Sequence, residues 1–159
     1  MTARGSLDFS VAAVALVATL IANYVVSQFL RNSIGVIAPD LAQELLLTPT
    51  QIGLLSSMFF FLFAAIQIPL GMALDRFGPR ICLSVGAAVT VLGCIAFASA
   101  ASPQGLIAGR ALMGLGSAGA LVGALTVYAR RFPAHRFATL TGLQVGVGTV
   151  GALIATAPL

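Results

Sequence analysis

Four polar side chains interrupt the first apolar run of this sequence, and their spacing sets them on one stripe. Tyr24, Ser27, Gln28 and Arg31 stand at i, i+3, i+4 and i+7, a single face on a helix. Asn23 and Asn32 flank them. A polar stripe on an otherwise apolar membrane helix faces a cavity rather than lipid. A guanidinium in such a stripe can hold a carboxylate or a phosphate through two parallel N–H bonds. The chemistry is anion binding, and Arg31, Tyr24 and Gln28 are candidate substrate contacts. In the last apolar run, Thr141, Gln144 and Gly148 share a face at i, i+3 and i+7. Gln144 is therefore a fourth candidate, although buried amides also serve as glue between helices. Arg31 has two readings. If the first helix stops at Leu30, Arg31 is an interfacial anchor; if it continues to about Ala38, just before Pro39, Arg31 lies inside the span.

Two further sets of residues stand out. Arg110 lies seven residues into an apolar run that begins at Pro103, roughly 10 Å along a helix. A guanidinium at that depth faces protein or water, or else snorkels to the headgroups. Gly114 follows one turn later. Gly71, Asp75, Arg76, Gly78 and Arg80 form the pattern G-x-x-x-D-R-x-G-x-R. The pattern suits a tight hinge between antiparallel helices. Gly71 would allow close helix approach, and Gly78 a left-handed turn. Asp75 would accept hydrogen bonds from a helix N-terminus or an arginine.

The elements that position these residues follow from hydropathy and charge. The 159 residues are 59% hydrophobic and only 8% charged, with a mean hydropathy of +1.06; soluble domains carry about 25% charged residues. Five runs are long enough, at about 20 residues, to cross a bilayer as helices. The expected fold is all-α, a polytopic bundle with helices at about 9–38, 49–74, 81–100, 103–128 and 137–157. Thr48, Pro49 and Gln51 give the second helix a capping box with proline in the first turn, and Ser102-Pro103 repeats the start for the fourth. Pro69 should bend or loosen the second helix.

Arginine sets the orientation. Arg4, then Arg76 and Arg80, then Arg130, Arg131 and Arg136 alternate with segments that hold Asp40, Glu44 and no base. This is the positive-inside pattern with a cytoplasmic N-terminus. The same periodic spread argues against nucleic acid as a partner of this +4 chain. Cys82 and Cys94 are roughly 18 Å apart along one helix, too far for a disulfide. No His or Cys cluster has metal-ligand spacing and no nucleophile–base pair occurs, so neither a cofactor nor an enzymatic activity is expected. Arg4 and the apolar stretch after it mimic a signal peptide, but the small-x-small cleavage pattern fails at Leu20 and Ala22, and the stretch runs on. The apolar run up to Leu159 leads to the expectation of an incomplete unit. Abundant Ala and Gly without lysine point to a GC-rich bacterial genome, and so to the cytoplasmic (inner) membrane.

Across nearly its whole length the chain resembles the N-terminal half of the major facilitator superfamily. The loop Leu74–Arg80 matches that family's best-known signature, with Pro79 where a basic residue is usual. QIGLLSSMFFFLFAAIQIPLGMALDRFGPR is similar to family helix two and its loop, GRALMGLGSAGAL to helix four, and ARRFPAHRFATLTGL to the loop into helix five. FLRNSIGVIAPDL resembles helix one of the organophosphate and organic-anion branches, where an arginine in the matching place contacts the anion. The resemblance implies a secondary transporter working by alternating access, with a small anionic substrate and a proton or another coupling ion. It implies coupling or gating roles for Arg110, Gly71, Asp75, Arg76, Gly78 and Arg80. It also implies twelve helices, of which residues 1–159 supply the first five. The sixth helix and the C-terminal bundle are absent from this sequence and would be supplied in cis or as a separate chain. Some features depart from the branches. Ser117 stands where anion symporters often carry glutamate, and residues 137–159 lack the histidine of the phosphate-ester exchangers. Gly142 and Gly146 keep the spacing of the drug-efflux signature, but Val147 replaces its proline. Metabolite or drug efflux is the runner-up reading, and a truncated, non-transporting assembly or sensor protein is the third.

Overall fold

The structure, a computed structural model, describes residues 11–156. Arg4, Phe9 as a helix start, and Ala157 as the end of the last helix lie outside the described residues. Seven helical segments follow one another: α1 (Val11–Glu44), α2 (Pro49–Ala65), α3 (Gln67–Phe77), α4 (Pro79–Ala98), α5 (Pro103–Ser117), α6 (Gly119–Arg131) and α7 (Ala134–Thr156). Among the described residues four helices are long and apolar enough to cross a membrane, with α5 and α6 counted as one continuous span. α2 and α3 together make a fifth, bent by 44°. With no strands among the described residues, this is an all-α integral membrane protein.

Local chemistry explains most of the boundaries. Thr48 Oγ1 accepts from the Gln51 N–H at 3.3 Å, and the Thr48 N–H donates to Gln51 Oε1 at 2.9 Å, completing the capping box of α2. Ser102 Oγ accepts from the Gly105 N–H at 3.2 Å and starts α5. Gly78 takes φ 82°, the left-handed turn between α3 and α4. The bend of the second span falls at Ile66, three residues before Pro69. Proline has no N–H to offer the Ala65 carbonyl and crowds it, so the helix breaks there.

The first helix is longer than the sequence suggests. Neither Leu30 nor Ala38 ends it; it runs through Pro39 to Glu44. A proline ring inside a helix presses on the carbonyl four residues back. Here that residue is Gly35, whose missing side chain would meet nothing within 4 Å, so the backbone can yield. α1 ends instead in a Schellman-type turn. Leu46 takes φ 49°, and the Leu47 N–H reaches back to the Ala42 carbonyl at 3.1 Å.

The α5–α6 span is the most buried of the membrane helices, with α5 seated against α2 and α4 while α1 pairs with α7. Lipid is as apolar as leucine, so close packing rather than transfer from water holds these helices together. Glycines allow it. A side chain at Gly116 would collide with Gly86 and Thr90, one at Gly109 with Phe97, and one at Gly114 with the backbone of Phe59. Gly71 behaves differently from the expectation: a side chain there would meet nothing within 4 Å. Among the described residues no other helix comes that near, so it mediates no close approach there. Two apolar clusters close the bundle. One gathers Leu20, Val127, Tyr128 and Leu140 near the arginine-rich end. The other gathers Ile34, Leu47, Leu55 and Leu106 toward the opposite end.

Candidate functional site

Arg31 lies within the span. α1 continues about 20 Å beyond it to Glu44. Toward the other end, Leu16, Thr19, Leu20 and Asn23 share a cavity of about 600 Å³ with Arg80, Arg130 and Arg131. That is the arginine-rich end of the bundle, and Asn23 is already about 12 Å short of Arg31 along the helix. The anchor reading at a helix end therefore gives way to the interior one. The 600 Å³ cavity itself belongs to the arginine-rich end, and Arg31 does not line it.

The surroundings of Arg31 are aromatic. Its guanidinium carbon stands 4.4 Å from the centroid of Phe63 and 5.9 Å from that of Phe60. Its Nε is buried and has no hydrogen-bond partner among the described residues, and the same holds for Gln28 Oε1 on the next turn. A buried, unpaired donor on a cation is costly unless something else satisfies it.

Arg110 is 1% exposed, so it does not snorkel. Its Nη1 donates to the Leu30 carbonyl at 2.7 Å and its Nε to the Leu55 carbonyl at 3.4 Å. The guanidinium carbon lies 4.7 Å from the Phe59 ring centroid. Gly114, one turn along α5, receives the Phe59 backbone. The R-x-x-x-G spacing thus meets Leu55 and Phe59, also one turn apart, across the α2–α5 contact. Nη2 is buried without a partner. Arg110 joins α1, α2 and α5, and its bond to Leu30 is made beside Arg31.

The other candidates are engaged in packing. Gln144 is fully buried. Its Nε2 donates to the Leu20 carbonyl at 3.1 Å, and its Oε1 accepts from the Tyr128 hydroxyl at 2.6 Å. It ties α7 to α1 and α6 with both its heteroatoms occupied. The Tyr24 ring fills the space left by Gly148 on α7. Ser27 Oγ donates to the Ser117 carbonyl at 3.5 Å, at the junction of α5 and α6. The structure thus brings Arg31 and Gln28 together as groups with free hydrogen-bonding capacity, and assigns Tyr24 and Gln144 to the α1–α7 interface. Sequence reasoning missed Phe59, Phe60 and Phe63. The run Phe59-Phe60-Phe61 with Phe63 carries no polar residue to mark an inward face, and only the α1–α2 and α2–α5 contacts show which rings meet the arginines.

The signature loop is assembled at the arginine-rich end. Asp75 Oδ1 stands 3.4 Å from Arg130 Nη2, linking the end of α3 to the end of α6. Arg76 lies over Phe77 at 5.4 Å. Arg80, in the first turn of α4, lines the 600 Å³ cavity with Arg130 and Arg131. Both groups of the Asp75–Arg130 pair are solvent-accessible, so it contributes at most about 1 kcal/mol to stability. Cys82 and Cys94 are both free thiols. Among the described residues no cluster of metal-binding side chains occurs.

A family profile described as Major Facilitator Superfamily matches residues 20–159. The chain is 33% identical over 114 residues to the Nitrate/nitrite transporter NrtP of Picosynechococcus sp., a match covering 72% of this chain and 21% of that protein. It is 35% identical over 115 residues to the protein of the same name from Nostoc punctiforme, covering 72% and 23%. It is 31% identical over 129 residues to the Probable sulfoacetate transporter SauU of Cupriavidus necator, covering 75% and 30%. The chain spans less than a third of the length of these curated relatives.

Proposed function

The chain belongs to the Major Facilitator Superfamily, and from that premise we propose that it forms the first five helices of a secondary transporter for a small organic anion, a carboxylate or a phosphate ester. Arg31 is the anion contact in this reading, with Gln28 beside it. The observation that carries it is the buried, unpaired Nε of an arginine held inside the span. A guanidinium desolvated in this way, with no carboxylate bonded to it among the described residues, has its two-donor edge available for an oxyanion. The relatives named as transporters of nitrate/nitrite and of sulfoacetate support an anionic substrate.

Transport by alternating access needs a second bundle to rock against, in cis or on a separate chain. The N-terminus is cytoplasmic in this reading, and the membrane is the inner membrane of a bacterium. Arg110 acts as a gate: it holds α1, α2 and α5 together beside Arg31, so its bonds must change if those helices part. Asp75, Arg76, Gly78 and Arg80, with Gly71 at the start of the motif, form the cytoplasmic hinge, where the exposed Asp75–Arg130 pair is weak enough to open and close. A proton or another ion supplies the coupling.

The test is Arg31→Lys against Arg31→Ala in the full-length transporter, by uptake or binding of candidate carboxylates and phosphate esters. Lysine keeps the charge and loses the planar fork. Both variants should weaken binding by roughly 1.5–3 kcal/mol, about ten- to a hundredfold. Wild-type behaviour of Arg31→Lys would remove the bidentate anion contact from the proposal.

A further inference from the structure

Among the described residues, Arg31 is held by rings rather than by an acid. Its guanidinium stands over Phe63, at 4.4 Å from the ring centroid. Phe63 in turn stacks on Phe59, with centroids 6.4 Å apart and ring planes 14° from parallel. Phe59 is completely buried, and Arg110 lies over it at 4.7 Å. The result is a series of guanidinium, ring, ring and guanidinium that runs from Arg110 to Arg31. Its inner end is fixed, because Gly114 receives the Phe59 backbone and Arg110 is bonded to carbonyls of α1 and α2. Phe60, one turn before Phe63 on α2, closes on Arg31 more loosely at 5.9 Å.

This arrangement has a chemical consequence. A carboxylate partner would orient Arg31, but it would also neutralise it and compete with an incoming anion. An aromatic face attracts the cation through its quadrupole and leaves the charge in place. It accepts no strong hydrogen bond and so leaves the N–H groups free, in keeping with the unpaired Nε. We propose that Phe63, seconded by Phe60, is a positioning residue that presents the in-plane edge of Arg31 to the transported anion. The inference rests on the reading of Arg31 as the anion contact and deepens it: affinity should depend on an aromatic face at position 63, not merely on apolar bulk there.

The experiment is a substitution series in the full-length transporter: Phe63→Tyr, Phe63→Trp, Phe63→Leu and Phe63→Met, with Arg31→Ala beside them. Binding is measured calorimetrically with nitrate, acetate, sulfoacetate and a phosphate monoester as probes, and a parent that binds none of them overturns the anion reading and with it the positioning role. Leucine and methionine should weaken binding of those probes that the parent holds by about five- to tenfold. Tyrosine and tryptophan, which keep the aromatic face, should stay within about twofold of the parent. Should neither apolar variant at 63 yield folded protein, the same series at Phe60 reads the same dependence with a smaller factor. Equal affinity across the series, or equal loss by aromatic and apolar replacements, overturns the positioning role. If that happens while Arg31→Ala still weakens binding by about tenfold or more, the anion contact survives and only the role of Phe63 falls. Parent-like binding by Arg31→Ala overturns the anion reading and the positioning role together.

Discussion

Replacing Arg110 separates what the buried charge does for stability from what it does for function. Arg110→Met removes two hydrogen bonds from a charged donor, the one to Leu30 at 2.7 Å and the longer one to Leu55 at 3.4 Å. Bonds of that kind contribute about 1.5–3 kcal/mol each, the longer one at the low end. Neither carbonyl is orphaned by the change, since both also serve their own helices, and the Leu30 carbonyl accepts from Ser33 Oγ as well. On the other side of the balance, a guanidinium that is 1% exposed and bonded to no carboxylate among the described residues carries a desolvation cost of several kcal/mol. The two terms nearly cancel, so methionine, which keeps the apolar bulk over Phe59, should change stability by no more than about 1 kcal/mol. Arg110→Lys retains the charge and its desolvation cost, but puts one nitrogen where the guanidinium holds two apart, so it keeps the present geometry to only one of the two carbonyls. It should lose about 1.5–3 kcal/mol, a fall of roughly 3–12 °C in Tm for a chain of this size. The assay is thermal unfolding of the three purified chains in one detergent, with transport measured in the full-length transporter that carries each substitution. We expect methionine to be stable and inactive, and lysine to be both less stable and impaired. A lysine variant as stable as the parent, with a methionine variant destabilised by more than about 3 kcal/mol, would show that the charge itself holds the helices together and would refute the balance drawn here.

Three other changes test neighbouring statements. Gly114→Ala places a methyl group into the Phe59 backbone and should cost about 1–3 kcal/mol by overpacking, whereas Gly142→Ala, which meets nothing within 4 Å, should be neutral or slightly stabilising; equal melting temperatures for the two would contradict the α2–α5 contact. Asp75→Asn breaks an exposed pair with Arg130, so stability should fall by less than about 1 kcal/mol while transport, measured at matched expression, falls severalfold; unimpaired transport would remove Asp75 from the hinge. For orientation, cysteines placed at Arg80 or Arg131 should be shielded from an impermeant thiol reagent outside intact cells, and one at Gln43 should label above the background of Cys82 and Cys94. Outside labelling at Arg80 would invert the topology.

What the sequence determined about this protein is what local chemistry and the bilayer enforce. Charge-free runs of spanning length dictate helices, because lipid leaves backbone groups no other partners. The Thr48 capping box, the Ser102 cap and the left-handed Gly78 involve residues within a turn of one another, so they were legible without neighbours. Which face of each helix turns inward was not legible. In water an apolar stripe marks the buried side, but here lipid and protein interior are equally apolar, and only polar residues carry a signal. That signal is ambiguous: Gln144 and Tyr24 share stripes with cavity candidates, yet the tertiary structure occupies them with Tyr128, Leu20 and Gly148. The length of α1 past Pro39, and with it the depth of Arg31, depended on a yielding Gly35 and a terminating turn at Leu46. The partners of Arg110 lie 80 and 55 residues away in sequence, and no spacing rule reaches that far. Helical periodicity tells which side chains share a face; only the packing of three helices decided that Arg31 and Arg110 would be held by two stacked rings of α2.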